Sequence, residues 1–213
     1  MSPQVFCCEQ GTETWARLRL GLPTASNFAD VLAKGQGKTR RTYMLKLLGE
    51  RFCGEPAESF QSPHMERGKA MEADAREMFA FMEDAELEQV GFIRNGNKGC
   101  SPDSLIGDAG MLEIKTALPH IQLERIFADR LPPEHVAQVQ GQLWVAEREW
   151  CSFVSYWPRL PLFVKKVYRD EEYIATLAAE VGRFNDELDT LTEKIKQTGA
   201  QVWEAPREVA LAP

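Results

Sequence analysis

The chain has 213 residues, 44% of them hydrophobic and 27% charged, and a net charge of −7. This is an ordinary soluble globular composition, long enough for one domain with a sizeable core, and no apolar run reaches the roughly 20 residues of a membrane span. Five cysteines without a Cys-x-x-Cys pair and three scattered histidines argue against a disulfide framework and a zinc site. The opening Met1-Ser2-Pro3-Gln4 lacks a basic region followed by an apolar one, so a cytoplasmic protein is expected. Acidity makes DNA look an unsuitable partner, but the charge is uneven. Residues 1–53 carry eight lysines and arginines against four acids, and a basic patch on an acidic body can hold phosphates.

Residues 9–21 read as a short helix, with Thr12 as N-cap, Gly21 as stop, and Trp15 and Leu18 facing inward. Arg17 and Arg19 fall elsewhere on it. Thr24-Ala25-Ser26-Asn27 opens a second helix with Phe28, Val31 and Leu32 as its buried stripe. Its hydroxyls are either caps or part of a phosphate site at a helix start. Lys34 to Arg41 is a flexible basic loop. Gly37-Lys38-Thr39 mimics the end of a P-loop, yet Leu32 stands where the first glycine must be and a helix precedes it, which rejects nucleotide binding. The loop, with Lys38, is either a DNA-backbone contact or a solvated charge run.

An amphipathic helix is expected over 43–52, a Gly/Pro/Ser-rich loop over 54–63, and a long helix over 66–82 buried along Met71, Ala75, Met78 and Met82. Glu72 on that helix either pairs with Arg76 one turn on or reaches a metal site. Strands follow over 90–95, 98–106 and 111–116. A helix begins at Pro132-Pro133-Glu134 with Gln138, Gln140 and Gln142 among its apolar positions; these glutamines are either simply exposed or, for Gln138 at a semi-buried position, set to hold a phosphate or a metal-bound water. Strands at 150–157 and 162–169 and a long helix over 171–197 complete the pattern, with a loose tail after Gly199. The whole chain, 1–213, reads as a single domain.

The stretch from Ser101 to Lys115 carries the chemistry. Gly107-Asp108-Ala109-Gly110 is a turn signal between two strands. Alternation puts Glu113 and Lys115 on one face and Leu112 and Ile114 on the other. In-register pairing sets Asp103 across from Glu113. Two adjacent carboxylates repel unless a cation lies between them, and the hard divalent ions Mg²⁺ and Mn²⁺ suit such oxygen donors. The neighbouring lysine can orient a water or neutralise charge on a phosphate.

Pro102-Asp103 followed by Glu113-Ile114-Lys115 looks like the PD-(D/E)xK nuclease core. Three further blocks, in the same order along residues 9–195, resemble the lambda exonuclease and YqaJ-type viral recombinase family. They are Glu9-Gln10-Gly11 to Trp15 with Leu18 to Gly21 and Thr24 to Ser26; Gly68-Lys69 with Glu72 and Asp74-Ala75-Arg76; and Ala137-Gln138-Val139-Gln140 with Trp144-Val145. The resemblance implies an α/β restriction-endonuclease-like fold, a mixed sheet flanked by helices. It implies a processive Mg²⁺-dependent 5′→3′ exonuclease on duplex DNA that releases mononucleotides. The 3′ overhang left behind would pass to a single-strand annealing protein, and three subunits would form a ring.

By matching position, Asp103, Glu113, Glu72 and the carbonyl of Ile114 would ligate the metals, two per site, and Lys115 would act on the attacking water. Ser101 and Gln138 would help place the scissile phosphate. Arg19, Thr24 and Ser26 would hold the 5′-phosphate, and Met65 would be the wedge that splits the end base pair. Gln36 and Ile121 stand where the family has DNA-contacting arginines; Lys38, His120 or Arg125 are the candidate substitutes. An endonuclease or junction-cleaving relative and a non-catalytic DNA-end-binding module are the alternatives.

Overall fold

A computed structural model describes residues 2–33, 38–57 and 63–204, with the backbone alone at 63–67 and 69. The expectations for Gln36, for residues 34–37 of the basic loop and for the Met65 side chain fall outside these. In chain order the elements are β1 (Gln4–Phe6), α1 (Glu13–Arg19), a 3-10 turn (Ala25–Asn27) running into α2 (Phe28–Leu32), α3 (Lys38–Cys53), α4 (Pro63–Glu83), β2 (Leu87–Glu88), β3 (Phe92–Asn95), β4 (Lys98–Cys100), β5 (Ser104–Ile106), β6 (Gly110–Thr116), α5 (Pro119–Ala128), α6 (Pro133–Ala146), β7 (Trp150–Tyr156), β8 (Phe163–Tyr168) and α7 (Glu171–Lys196).

Among the described residues the strands form a small sheet, β1-β3-β4, and a larger one, β2-β5-β6-β7-β8. β6 and β7 run parallel, from Gly110 beside Trp150 to Thr116 beside Tyr156, and the remaining pairs are antiparallel. A parallel pair needs a long crossover, here supplied by α5 and α6. The expected mixed sheet flanked by helices is what the chain forms.

Alternation along β6 divides the core. Leu112 and Ile114 join Met71, Ala75 and Phe79 of α4 and Val154 and Tyr156 of β7 on one face. Met111 joins Cys151, Phe153 and the side chains of α2, α3, α6 and α7 on the other. Each large side chain so buried contributes about 1.5–3 kcal/mol. α6 is buried almost all round. A Cβ at Gly141 would come 2.4 Å from the Phe28 ring, so this glycine sets how closely α6 approaches α2.

Several expectations are corrected. The segment 98–106 is not one strand: β4 pairs with β3 in the small sheet and β5 with β6 in the large one. Pro102, which has no N–H for a ladder, lies at the break. The basic loop ends sooner than expected, because Lys38 to Arg41 already belong to α3. On α4 the buried stripe is Met71, Ala75 and Phe79, a run of steps of four, while Met78 and Met82 are exposed. α5 was not anticipated between the hairpin and α6. The tail is not loose as far as Glu204: Trp203 N–H donates to the Arg51 carbonyl at 2.9 Å and its indole lies over Gly54.

Candidate active site

The hairpin has the expected register. Ser104 pairs with Leu112, Leu105 with Met111 and Ile106 with Gly110, which brings Asp103 level with Glu113. Gly107 supplies the left-handed turn residue at φ 51°. Gly110 does something else: it begins β6, and a Cβ there would come 2.3 Å from the Trp150 ring. Asp103 is tied down from both ends. Its N–H donates to the Leu112 carbonyl at 3.0 Å, and its Oδ2 accepts from the Ile114 N–H at 2.5 Å.

Glu113 is 2% exposed. Its face of the sheet meets α6, whose i, i+4 spacing sets Gln138 and Gln142 over it. Gln138 donates to Oε1 at 2.6 Å, Gln142 to Oε2 at 2.6 Å, and the Lys115 ammonium pairs with Oε1 at 2.5 Å. A buried carboxylate is tolerated only with such donors. Gln140, between them, turns elsewhere. It donates to the Tyr168 carbonyl and accepts from the Asp170 N–H, both at 2.9 Å, fastening the start of α7.

The electrostatics follow from crowding. Burial pushes the Asp103 carboxyl well above the ordinary carboxylate range, and the charges of Glu113 and Glu72 push it the same way, against Lys115 and the Ile114 N–H. Burial works to lower the Lys115 pKa, yet Glu113 and Asp103 outweigh it and keep the value above that of an ordinary lysine. Lys115 is therefore a firmly held cation.

The other wall comes from the N-terminal elements. Arg19 stacks over the Trp15 ring at 4.0 Å and donates to Thr24 Oγ1 at 3.4 Å. Thr24 Oγ1 lies 3.2 Å from Ser26 Oγ, and the Thr24 N–H donates to the Tyr43 hydroxyl at 3.1 Å. Burial lowers the Arg19 pKa. Trp15 Nε1–H donates to Ser101 Oγ at 2.9 Å, and Gln10 donates to the Pro102 carbonyl at 2.9 Å. Two residues of the N-terminal segment thus grip the chain just before Asp103.

One cleft of about 170 Å³ is lined by Arg19, Thr24, Ser26, Ser101, Asp103, Glu113, Lys115 and Gln138, together with Gln10, Trp15 and Gln142. Residues that the sequence singled out in three separate blocks therefore share one space. Lys38 lies apart from it, in the wall of a larger chamber of about 930 Å³ that shares Trp15, Arg19 and Thr24 with the cleft. Glu72 does not line the cleft. It sits on α4, across the sheet from α6, and binds Arg76 at 2.6 Å, though its charge is felt at Asp103. Of the candidate substitutes for the family arginines, Arg125 turns inward to Ser155 and His135, while His120 is exposed. Sequence reasoning assigned no role to Gln142, Gln10 or Trp15 at the cleft; i, i+4 spacing from Gln138 was the signal for Gln142.

The donor chemistry fits a hard divalent cation: two carboxylates level with each other across the hairpin, one of them pushed up by burial first and by its neighbours' charges second, with the main chain of Ile114 beside them. Among the described residues no three acidic, histidine or cysteine side chains are gathered closely enough to hold an ion. Asp103 and Glu113 are thus the paired carboxylates at the cleft, with Glu72 turned to Arg76.

The YqaJ-like viral recombinase domain family matches residues 14–149, from the grip of Trp15 past the glutamine-bearing helix. No match is found among curated proteins. Two crystal structures of LHK-Exo are similar throughout. The complex with dAMP is 35% identical, covers 88% of this chain and 98% of its own, and superposes with a TM-score of 0.82. The other, described as an alkaline exonuclease from Laribacter hongkongensis, is 34% identical over the same shares, with a TM-score of 0.81. A phage-related exonuclease from Haemophilus somnus 129PT is 13% identical, covers 82% of this chain and 96% of its own, and shares the fold at a TM-score of 0.62. On the family match and the LHK-Exo identity alike, the chain belongs to the YqaJ-like viral recombinase family, with alkaline exonucleases as its structural neighbours.

Proposed function

We propose that the protein is a Mg²⁺-dependent 5′→3′ exonuclease that digests one strand of duplex DNA processively from an end, releasing 5′-mononucleotides. The observation that carries this is the shared cleft, in which Arg19, Thr24 and Ser26 face the same space as Asp103, Glu113 and Lys115. A guanidinium and two hydroxyls beside the carboxylates suit a terminal phosphate, which favours an exonuclease over an endonuclease. LHK-Exo has been crystallised with dAMP, and a deoxynucleoside monophosphate is the product expected here.

Arg19 with Thr24 and Ser26 binds the 5′-phosphate, a guanidinium and two hydroxyls being suitable donors. Asp103, Glu113 and the Ile114 carbonyl hold Mg²⁺, with Mn²⁺ as an alternative and Glu72 as a further ligand on rotation away from Arg76. Two bound ions supply a nucleophile near neutral pH and charge relief at the leaving oxygen. Lys115 orients the attacking water and neutralises charge on the phosphate, while Ser101 and Gln138 place that phosphate. Lys38 contacts the DNA backbone from the adjoining chamber, and Met65 is the wedge.

The reading extends to residues 1–213 as one nuclease domain, a homotrimeric ring, a single-strand annealing protein that receives the 3′ overhang, and the bacterial host cytoplasm. Light scattering tests the trimer. The activity is tested on linear duplex with and without a 5′-phosphate, in Mg²⁺. Mononucleotide release that is favoured by the phosphate and abolished in Lys115→Ala is expected. Nicking of closed circles would point to an endonuclease, and bound but uncut ends to a binding module.

A further inference from the structure

We infer that Gln142 is a positioning residue of this reaction, fixing the orientation of the Glu113 carboxylate through its second oxygen. The inference rests on the proposed role of Glu113. Oε1 of Glu113 meets both Lys115 and Gln138, whereas the donor to Oε2 among the described residues is Gln142, at 2.6 Å. A carboxylate held at one oxygen can swing about that contact; held at both, it cannot.

Packing alone does not explain a glutamine here. Gln142 is 1% exposed, on a helix where Val139, Leu143 and Val145 are wholly buried, and its own Oε1 is buried with no hydrogen-bond partner among the described residues. An apolar side chain would fill the space without that unsatisfied acceptor. The neighbouring Gln140 shows the structural alternative, since both ends of its amide are used. Gln142 uses only its amino end, and that end is at Glu113. The orientation of the amide is set by charge, because its oxygen turned toward the carboxylate would repel it. Gln142 also lines the cleft, so the effect of its contact is felt where the substrate is proposed to sit.

The test compares wild type, Gln142→Met, Gln142→Asn and Glu113→Gln. Outer contacts to a ligating group typically cost 10- to 100-fold in activity or metal affinity when removed. Gln142→Met is expected to lower kcat by about that factor, with KM for 5′-phosphorylated duplex within about twofold; the metal-free melting temperature falls as Oε2 loses its donor, but that fall does not account for the kcat/KM division. Without DNA, the Mg²⁺ concentration needed to raise the melting temperature should increase. A merely structural glutamine would move the metal-free melting temperature and leave the kcat/KM division and the Mg²⁺ titration alone. Should Gln142→Met not fold, Gln142→Asn, which draws the amide back by one methylene, carries the same kcat and Mg²⁺ measurements. Wild-type kcat and Mg²⁺ titration in a folded Gln142 variant, beside an inactive Glu113→Gln, would overturn the inference. A fully active Glu113→Gln would instead remove the role of Glu113 on which it rests.

Discussion

On the side of the cleft carried by β6 and α6 the polar contacts are short and centred on a buried carboxylate, whereas on the side carried by α1 and the 3-10 turn the side-chain contacts are longer. Glu113 meets its partners at 2.5–2.6 Å. The side-chain contacts among Arg19, Thr24 and Ser26 are 3.2–3.4 Å, with Ser26 exposed. The difference has a physical cause. A buried anion must be paired completely or it destabilises the fold, so its surroundings become a fixed frame. An exposed Ser26 hydroxyl, a buried Thr24 hydroxyl and a guanidinium, joined to one another only by long contacts, are suited to receive an anion from outside. One wall holds charge that belongs to the protein; the other is suited to charge that arrives with a ligand.

Substitutions on the two walls should therefore fail differently. The largest effect is expected at Lys115→Ala. Loss of a group acting directly on the attacking water typically lowers rate by about 10²–10⁴-fold, and mononucleotide release at saturating DNA measures it. An active Lys115→Ala would break the assignment of the buried wall to chemistry. Arg19→Gln should act on binding instead. A hydrogen bond to a charged group contributes about 1.5–3 kcal/mol, so preference for 5′-phosphorylated over 5′-hydroxyl ends should fall by about 10- to 100-fold, with hydroxyl ends cut as before. Equal loss on both kinds of end would mean that the wall carried by α1 does not read the phosphate.

Smaller effects probe the frame. Gly141→Ala forces a Cβ against the Phe28 ring and should lower stability by about 1–3 kcal/mol, the usual range for overpacking, read as a lower midpoint in urea. Because α6 carries Gln138 and Gln142, activity should fall with it at temperatures where the variant is still folded. The smallest expected effect concerns acid. His135 stacks against Phe153, receives a hydrogen bond from Arg125 at 3.0 Å and lies within reach of Glu134. Burial, with the charges of Lys115 and Arg125, brings its pKa down to about 4, below its value near 6.5 in an unfolded chain. The folded protein favours the neutral ring, so this contribution to stability is complete above about pH 6.5 and is lost as pH falls toward 4. Melting temperatures of wild type and His135→Gln should converge across that window as acidity increases.

Much of the buried wall was legible before any coordinates, because its logic is local. Period-two alternation put Glu113 beside Lys115, and the turn signal set Asp103 opposite. What escaped on the partner helix was Gln142. Three glutamines two residues apart look alike in sequence, and exposure is the ordinary expectation for them; whether each meets a carboxylate, a carbonyl or solvent depends on the angle at which α6 crosses the sheet. Likewise the helical period put Met78 in the buried stripe, and packing of α4 on Leu112 and Ile114 chose Phe79 instead. The break at Pro102 was visible as a proline, but not that the two halves would enter different sheets.

By itself the sequence determined which groups carry charge, the order of most of the elements, and the register of the hairpin, since these depend on side-chain type and short-range geometry. Tertiary structure decided that Arg19, Thr24 and Ser26 share a cleft with hairpin residues 75–96 positions away, and that Glu72 binds Arg76 while its charge acts on Asp103. Such long-range placement follows from how two sheets and the helices on them bury their apolar faces together, a global fit that no local pattern encodes.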